Sequence, residues 1–414
     1  MEPAKPHQTH IGLYLASLQL FFTLTWTVYV IFLPKLAAQV GIRPQAVIVI
    51  LMLDQVIFAF MDWFMDRLAD RWALVIGRLS RIVAATTAAS CVAFLLLPFV
   101  APTGSEALFL ALTILWSASS SVLRAPPLTL LGKYASRNSV SWLASLSMFG
   151  LGVAGALGPF LTVALRETDP RLPFALASMS LLMVTLGLGW AERNLAAAPS
   201  QTEAVTLPST AGNVDTRSPL ALFLIAIALL GLGFQIHFSL NTAPLFLKFA
   251  KPAELEQLMP VFWIGFSLLM LPTTFFTKRY GALSIMAAGG VVGAQAAFIA
   301  LHASNLSVLT AAQFIAGGAW GCVMMCAVTA ALALGHNRSD DGKSSNEGSI
   351  TGALFSLLAA TTFARMLIVW SELNKDPTFA TIQPWLPVAA WLVAAGLLLV
   401  IAMRRGERGA LQRV

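Results

Sequence analysis

Long apolar segments recur along this chain, and short polar stretches separate them. A transmembrane helix needs about 20 predominantly apolar residues, and twelve segments reach that length. They lie near 11–33, 44–64, 75–100, 107–131, 139–165, 172–191, 219–247, 258–277, 281–302, 306–334, 348–371 and 383–403. We therefore expect an all-α integral membrane protein with 12 transmembrane helices.

Composition supports the same class. Hydrophobic residues make up 57% of the chain and charged residues 11%, whereas soluble domains carry roughly 25% charged residues. The first apolar segment is too long for a cleaved signal peptide, so we expect it to remain as a span. The three cysteines all fall inside predicted spans, where we interpret them as packing residues. Nothing in the sequence predicts a metal or a cofactor.

One polar segment divides the apolar segments six and six. Residues 192–218 are rich in Ala, Ser, Thr and Pro and have no apolar period, which is typical of a flexible linker. The expected organisation is an N-terminal six-helix bundle at 1–191, a cytoplasmic linker at 192–218 and a C-terminal six-helix bundle at 219–414.

Basic residues give the orientation. If the N-terminus is cytoplasmic, 18 of the 26 Lys and Arg residues lie inside and 7 outside, with Arg365 left within a span. The positive-inside rule then places both termini in the cytoplasm. We expect a multi-pass protein of the plasma membrane, of the bacterial inner-membrane type. Anionic lipid headgroups account for the net charge of +7 without any nucleic acid partner.

The loop between spans two and three carries a recognisable motif. It reads Asp-Arg-Leu-Ala-Asp-Arg-Trp-Ala at 66–73, and Lys278-Arg279-Tyr280-Gly281 stands at the matching place between spans eight and nine. The chain thus resembles the major facilitator superfamily, whose signature here is Gly, three residues, Asp-Arg, one residue, Gly and a basic cluster. Asp70 and Arg71 match the Asp-Arg pair, while Asp66 and an alanine replace the two glycines.

The resemblance implies a fold and a function class. The family fold packs two six-helix bundles around a central cavity lined by spans one, four, seven and ten, with spans two and eleven packed across the halves. It implies a monomeric secondary transporter of a small organic solute that works by alternating access, not an enzyme. A non-transporting sensor or membrane assembly factor of the same fold is the alternative. The sequence contains neither a phosphate-binding loop nor an H-E-x-x-H motif.

Charged residues inside spans mark the candidate coupling site. A charge at mid-bilayer costs at least about 2.5–3.5 kcal/mol, so it persists only in a cavity or with a partner. Asp54 lies near the centre of span two, and Arg365 lies about seventeen residues into span eleven. A desolvated carboxylate can hold a proton unless a nearby cation keeps it ionised. We expect Asp54 to be the proton-coupling carboxylate and Arg365 its alternating partner; alternatively, each pairs within its own half and only maintains the fold.

Acidic residues continue along the same helix face at intervals of four, with Phe58 in the one vacant position. We expect the members nearer the cytoplasmic end of the helix, Asp62, Asp66 and Asp70, to meet Arg124, Arg67 or Arg71. Asp66, Asp70 and Arg71 are the predicted inner gate, which holds the cytoplasmic ends of the halves together.

Polar and aromatic residues at helical spacing predict the cavity faces of spans one, four, seven and ten. Serine and threonine in such helices often bond only their own backbone, so the larger side chains carry the prediction. The candidates for substrate or proton binding are Gln19, Trp26, Arg124, His237, Asn241, Gln313 and Trp320. His237 is the leading single candidate because an imidazole exchanges a proton near neutral pH, although an interfacial structural histidine is an equal alternative.

Span five is rich in glycine: Gly150, Gly152, Gly155 and Gly158 precede Pro159. Small residues at this spacing let helices approach closely. The family associates a fuller glycine-rich motif with antiporters, but the glycines expected after Pro159 are missing. We therefore expect helix packing here. This span does not support antiport, but the choice between proton-coupled symport and antiport, like the solute, is left open.

Overall fold

The computed structural model describes residues 6–72, 77–124, 126–135, 139–197, 217–336 and 347–411. Seventeen α-helices account for most of them. They are α1 (Pro6–Gln39), α2 (Pro44–Trp72), α3 (Arg78–Val100), α4 (Glu106–Ser120), α5 (Pro126–Tyr134), α6 (Val140–Ala164), α7 (Arg171–Leu186), α8 (Leu188–Ala197), α9 (Arg217–Ile236), α10 (Thr242–Phe246), α11 (Leu255–Leu258), α12 (Pro260–Tyr280), α13 (Ala282–Leu301), α14 (Leu306–His336), α15 (Glu347–Trp370), α16 (Pro377–Ile382) and α17 (Leu386–Leu411).

Twelve segments of the described chain are long and apolar enough to cross a membrane, which confirms the predicted number. We number these spans 1 to 12 in chain order. They are Thr9–Gln39, Pro44–Met65, Arg78–Thr103, Glu106–Leu123, Val140–Ala164, Arg171–Ala197, Pro219–Phe246, Pro252–Tyr280, Ala282–Leu301, Leu306–Leu334, Ile350–Trp370 and Pro377–Arg404. Because the number is even, both described chain ends lie on one face, the terminal face; the other is the distal face.

Local sequence explains where the spans end. Gly281 has a φ of 82° directly after α12, a conformation that glycine adopts without a steric penalty. At the distal face, the Ser105 hydroxyl accepts the backbone N–H of Leu108 and caps α4. Asp376 caps α16 in the same way through the N–H groups of Thr378 and Phe379, both at 2.9 Å. These caps satisfy backbone donors that a helix start leaves without partners.

The two halves have the same packing pattern. In the first half, span 1 packs on spans 5 and 6, span 3 on spans 4 and 6, and span 2 on span 4. Shifting every number by six gives the contacts of the second half: 7 with 11 and 12, 9 with 10 and 12, and 8 with 10. The chain is therefore a parallel repeat, as the matching loops at 66–73 and 278–281 indicate.

Two seams join the halves, span 2 against span 11 and span 5 against span 8. The glycines of span 5 make close approach possible, as predicted. A β-carbon on Gly150 would overlap the backbone oxygen of Ala16, and one on Gly155 would overlap the ring of Trp263 in span 8. Towards the terminal face, α5 of the first half also contacts α14 and α15 of the second.

Two boundaries differ from the sequence expectation. Span 4 ends at Leu123 rather than near residue 131, and α5 begins separately at Pro126. The Pro126–Pro127 pair lacks N–H donors and therefore favours a helix start over continuation. Likewise, α8 runs to Ala197 and α9 begins at Arg217, so the helices extend into both ends of the expected linker at 192–218.

Buried Glu192 explains the first of those linker extensions. Its Oε2 accepts the backbone N–H of Ser80 at 3.3 Å, in the first turn of α3. A carboxylate is stabilised at a helix N-terminus, where N–H groups have no partner in the helix. Leu195 is buried in the core one turn later. The end of α8 is thereby fixed against the first half.

Candidate functional site

One face of span 2 carries the candidate proton site. Asp54 is only 1% exposed and lies against spans 1 and 4. The Tyr29 hydroxyl donates to its Oδ2 at 2.8 Å, and the Ser117 hydroxyl donates to its Oδ1. Both carboxylate oxygens thus have a neutral donor. In the described part of the chain, no lysine, arginine or histidine lies within ion-pair distance of this carboxylate.

Aromatic rings surround this carboxylate. The Trp116 ring centre lies 4.4 Å from that of Tyr29 and 5.8 Å from that of Trp26, which it stacks against. Phe58, one helical turn from Asp54, contacts Trp26 at 5.3 Å. Such rings keep water away, which raises the free-energy cost of the charged form of the carboxyl. Tyr29 was not among the predicted site residues, although it lies one turn from Trp26.

A second carboxylate on the same face has a cation. Asp62 is fully buried, and its Oδ2 lies 3.1 Å from the Arg124 Nη1. The Arg124 guanidinium also lies over the Phe58 ring, 4.8 Å from its centre. It is 5.9 Å from the ring of Phe355 in span 11 as well. Arg124 is thus one of the partners expected for the acidic residues beyond Asp54 on span 2. Its contact with Phe355 places the ion pair at the seam between the halves.

Asp54 and Arg365 do not form an ion pair in this structure. The Ser356 hydroxyl donates to the Ala59 backbone oxygen at 2.6 Å and fixes how span 11 lies against span 2. At 1.5 Å per residue, Asp54 lies about 8 Å and Arg365 about 14 Å from that contact, both towards the distal face. Their depths therefore differ by about 6 Å. The buried Nε of Arg365 has no hydrogen-bond partner among the described residues.

His237 lies in a buried polar network of the second half. Its Nε2 is 3.1 Å from the Gln313 Oε1 in span 10. The Thr242 hydroxyl donates to the His237 backbone oxygen at 2.8 Å and lies 3.4 Å from the same Gln313 oxygen. His237–Asn241 form a single π-helical turn, an irregularity that is frequent at functional sites. The structure thus brings together two of the predicted site residues.

Asn241 lies at the other end of that turn and has a different neighbour. Its Oδ1 accepts the Nε2 of Gln383 at 3.0 Å. Gln383 precedes α17 in span 12, a span that packs on spans 7 and 9 rather than across the halves. Asn241 is therefore placed beside a peripheral span, apart from the Asp54 site of the first half.

The remaining candidates divide between the halves. Trp320 stacks on Phe234 with ring centres 4.4 Å apart, and Phe234 also contacts Trp263 at 6.0 Å. Gln19 is buried in span 1.

The side chains of Asp66, Asp70 and Arg71, the predicted inner gate, lie outside the described residues, and that gate stays a prediction. Among the described residues, no group of three or more His, Cys, Asp or Glu could hold a metal.

Two six-span halves with matching packing, joined along two seams, define the architecture of a polytopic solute carrier. The profile of the Major Facilitator Superfamily matches residues 15–360. The chain belongs to this family of membrane transporters, which confirms the resemblance found in the sequence. A search of curated proteins found no match.

Solved structures support the fold. The human organic anion transporter MFSD10 (TETRAN) superposes with a TM-score of 0.68 at 14% identity, covering 97% of this chain and 99% of that one. FucP, a Major Facilitator Superfamily transporter in the outward conformation, gives 0.67 at 11% identity over 96% and 99%. A bacterial homologue of the iron transporter ferroportin, in an outward-facing state, gives 0.62 at 14% over 95% and 99%. At these identities the likeness concerns the fold alone.

Proposed function

We propose that this protein is a proton-coupled secondary transporter of a small organic solute that works by alternating access. One observation carries the proposal. Asp54 and Arg365 lie in spans 2 and 11, which face each other across the halves, and neither has an oppositely charged partner among the described residues. Two unpaired ionisable groups of opposite charge in a membrane protein indicate function rather than stability.

Asp54 is the proposed proton carrier. Its two hydroxyl donors can stabilise the charged form, while burial among aromatic rings favours the neutral form. A carboxyl with such balanced opposing influences can take up and release a proton during a cycle. His237, bonded to Gln313, is the second candidate in the same role.

Arg365 is the proposed alternating partner. A shift of about 6 Å along the seam between spans 2 and 11 would bring its backbone level with that of Asp54. The cation would then compete with the proton for the carboxylate, because either one removes an uncompensated buried charge. A free guanidinium also suits an anionic solute, the substrate class named for the structurally similar human transporter.

The proposed orientation rests on the distribution of basic residues along the sequence. We place the terminal face, with both termini, in the cytoplasm of a plasma membrane of the bacterial inner-membrane type. The protein acts as a monomer in this proposal, with protons, a small-molecule solute and the lipid bilayer as its partners. The inner gate of Asp66, Asp70 and Arg71 belongs to the same proposal.

The test is uptake into proteoliposomes that contain the purified full-length chain. A panel of labelled organic anions and neutral sugars is offered with and without a pH gradient, alkaline inside. For one proton per solute, a gradient of 2 pH units supports accumulation of about 100-fold, since each tenfold ratio corresponds to about 1.4 kcal/mol. Asp54→Asn should abolish accumulation while sparing exchange of solute across the membrane without a gradient.

A matched control uses the same substitution elsewhere. Asp169→Asn changes an exposed aspartate on the distal face and should leave accumulation unchanged. Wild-type accumulation by Asp54→Asn would show that Asp54 has a structural role and would leave His237 as the candidate proton carrier. If no solute moves under any gradient, the alternative of a non-transporting sensor or assembly factor replaces the transporter.

A further inference from the structure

A separate cavity opens on the distal face of the second half, between spans 7, 9 and 12. It has a volume of about 390 Å³, within the range of small-molecule sites. It is distinct from the Asp54 site, which lies wholly in the first half. Its lining residues include Asn241, Lys248, His302, Ala380, Gln383 and Trp385, together with leucines and prolines.

The polar wall of this cavity has unused hydrogen-bonding groups. Asn241 is only 4% exposed and accepts one bond from Gln383. Its own Nδ2 and the Oε1 of Gln383 are both buried and have no hydrogen-bond partner among the described residues. Exchanging N and O in both amides would still leave one donor and one acceptor free. A buried group without a partner costs about 1–3 kcal/mol, so a ligand gains that energy if the two amides turn towards the cavity and pair with it.

A cation stands at the mouth of the cavity. Lys248 lines it, is exposed, and forms no ion pair with any described acidic residue. Beside it, the His302 ring packs against Trp385, with centres 5.5 Å apart. Trp385 is 44% exposed, which is typical of an aromatic residue at the edge of a membrane. The mouth thus offers one positive charge without an ion-pair partner among the described residues, at the distal end of the spans.

The other walls are apolar, formed by leucines, prolines and Trp385. The ligand must therefore combine an anionic group, a group that both accepts and donates a hydrogen bond, and an apolar body. We infer that this cavity binds an amphipathic anion with a hydroxylated head group, of the kind found in phosphatidylglycerol. The phosphodiester pairs with Lys248, the head-group hydroxyls accept from Asn241 and donate to Gln383, and the glycerol and upper acyl chain cover the apolar wall.

Native mass spectrometry of the full-length chain in detergent tests this site. The protein is titrated with phosphatidylglycerol, with phosphatidylcholine of the same acyl chains, and with soluble glycerol 3-phosphate. Lys248→Gln removes the cation and Ala380→Trp fills the cavity without changing any charge. Lys251→Gln is the matched control, since Lys251 is exposed on the same loop and does not line the cavity. Gln383→Leu replaces either variant that does not elute as a folded monomer.

We expect one phosphatidylglycerol bound tightly to the wild type and to Lys251→Gln, and at least fivefold weaker binding to Lys248→Gln and Ala380→Trp. Phosphatidylcholine should bind equally weakly to all four proteins. If glycerol 3-phosphate binds with the same dependence on the variants, the site takes the same chemistry from a soluble source. Equal binding of both anionic probes to the wild type and all variants would overturn the proposal.

Discussion

Removing Arg124 should destabilise the protein strongly, because its partner Asp62 is fully buried. The two atoms of the pair are 3.1 Å apart, and the side chains are 18% and 0% exposed respectively. Breaking a buried ion pair from one side costs about 3–5 kcal/mol, since it leaves an uncompensated charge. Arg124→Met should reach that range.

Removing Asp62 should lower the free energy of unfolding less than removing Arg124. In Asp62→Leu the guanidinium keeps its partial exposure and its position over the Phe58 ring at 4.8 Å. A cation over an aromatic ring retains roughly 0.5–2 kcal/mol, and long basic side chains can extend towards water. The double variant removes both charges and should be more stable than Arg124→Met alone, because an apolar pair of similar volume often replaces an ion pair without loss.

The free energies come from reversible unfolding in mixed micelles with increasing sodium dodecyl sulfate, followed by tryptophan fluorescence. The four proteins form a double-mutant cycle, which isolates the coupling between the two side chains. Strictly additive costs would refute the ion pair as the source of the effect. A larger cost for Asp62→Leu than for Arg124→Met would refute the argument from burial.

Three further changes probe the packing. Gly155→Leu should force spans 5 and 8 apart and reduce uptake at least tenfold. Gly158→Leu should retain most of the uptake, because its β-carbon meets only an ordinary contact at 3.9 Å. Equal uptake by the two variants would contradict close packing of spans 5 and 8 at Gly155. Glu192→Ala should lower the unfolding free energy by about 1 kcal/mol, since a helix N-terminus loses its acceptor. Trp391→Phe should cost about 1–3 kcal/mol in the same assay, because the Nε1 bond to the Leu230 backbone oxygen is lost and the smaller ring leaves a void in the core.

The spans and their repeat could be predicted from the sequence, because hydrophobic length and loop motifs are properties of short segments. The depth of Asp54 followed from the same arithmetic, and burial confirms that it lies inside the protein. The hydrogen-bond partners of Asp54 could not be predicted in this way. Tyr29 and Ser117 come from two other helices, and the rotation of each helix about its axis is decided by packing against its neighbours.

Asn241 illustrates the same limit. Spacing along span 7 placed it on one stripe with His237, and an ideal helix would have kept the two together. The π-helical turn at His237–Asn241 adds a residue to the turn and changes where the side chains after it point. His237 meets Gln313 of span 10, whereas Asn241 meets Gln383 of span 12. A local irregularity of this kind leaves no periodic signal in the sequence.

The two halves share their packing but not their chemistry. Span 2 buries Asp54 and Asp62 inside the protein, whereas its repeat counterpart, span 8, has no acidic residue between 260 and 277. The second half instead contains neutral amides, an imidazole and Arg365, which has no ion-pair partner among the described residues. A proton binds a carboxylate, while an anionic solute binds a guanidinium and amide donors. In the proposed mechanism, this asymmetry assigns the proton to the first half and the solute to the second half, and the two would compete at the seam between spans 2 and 11.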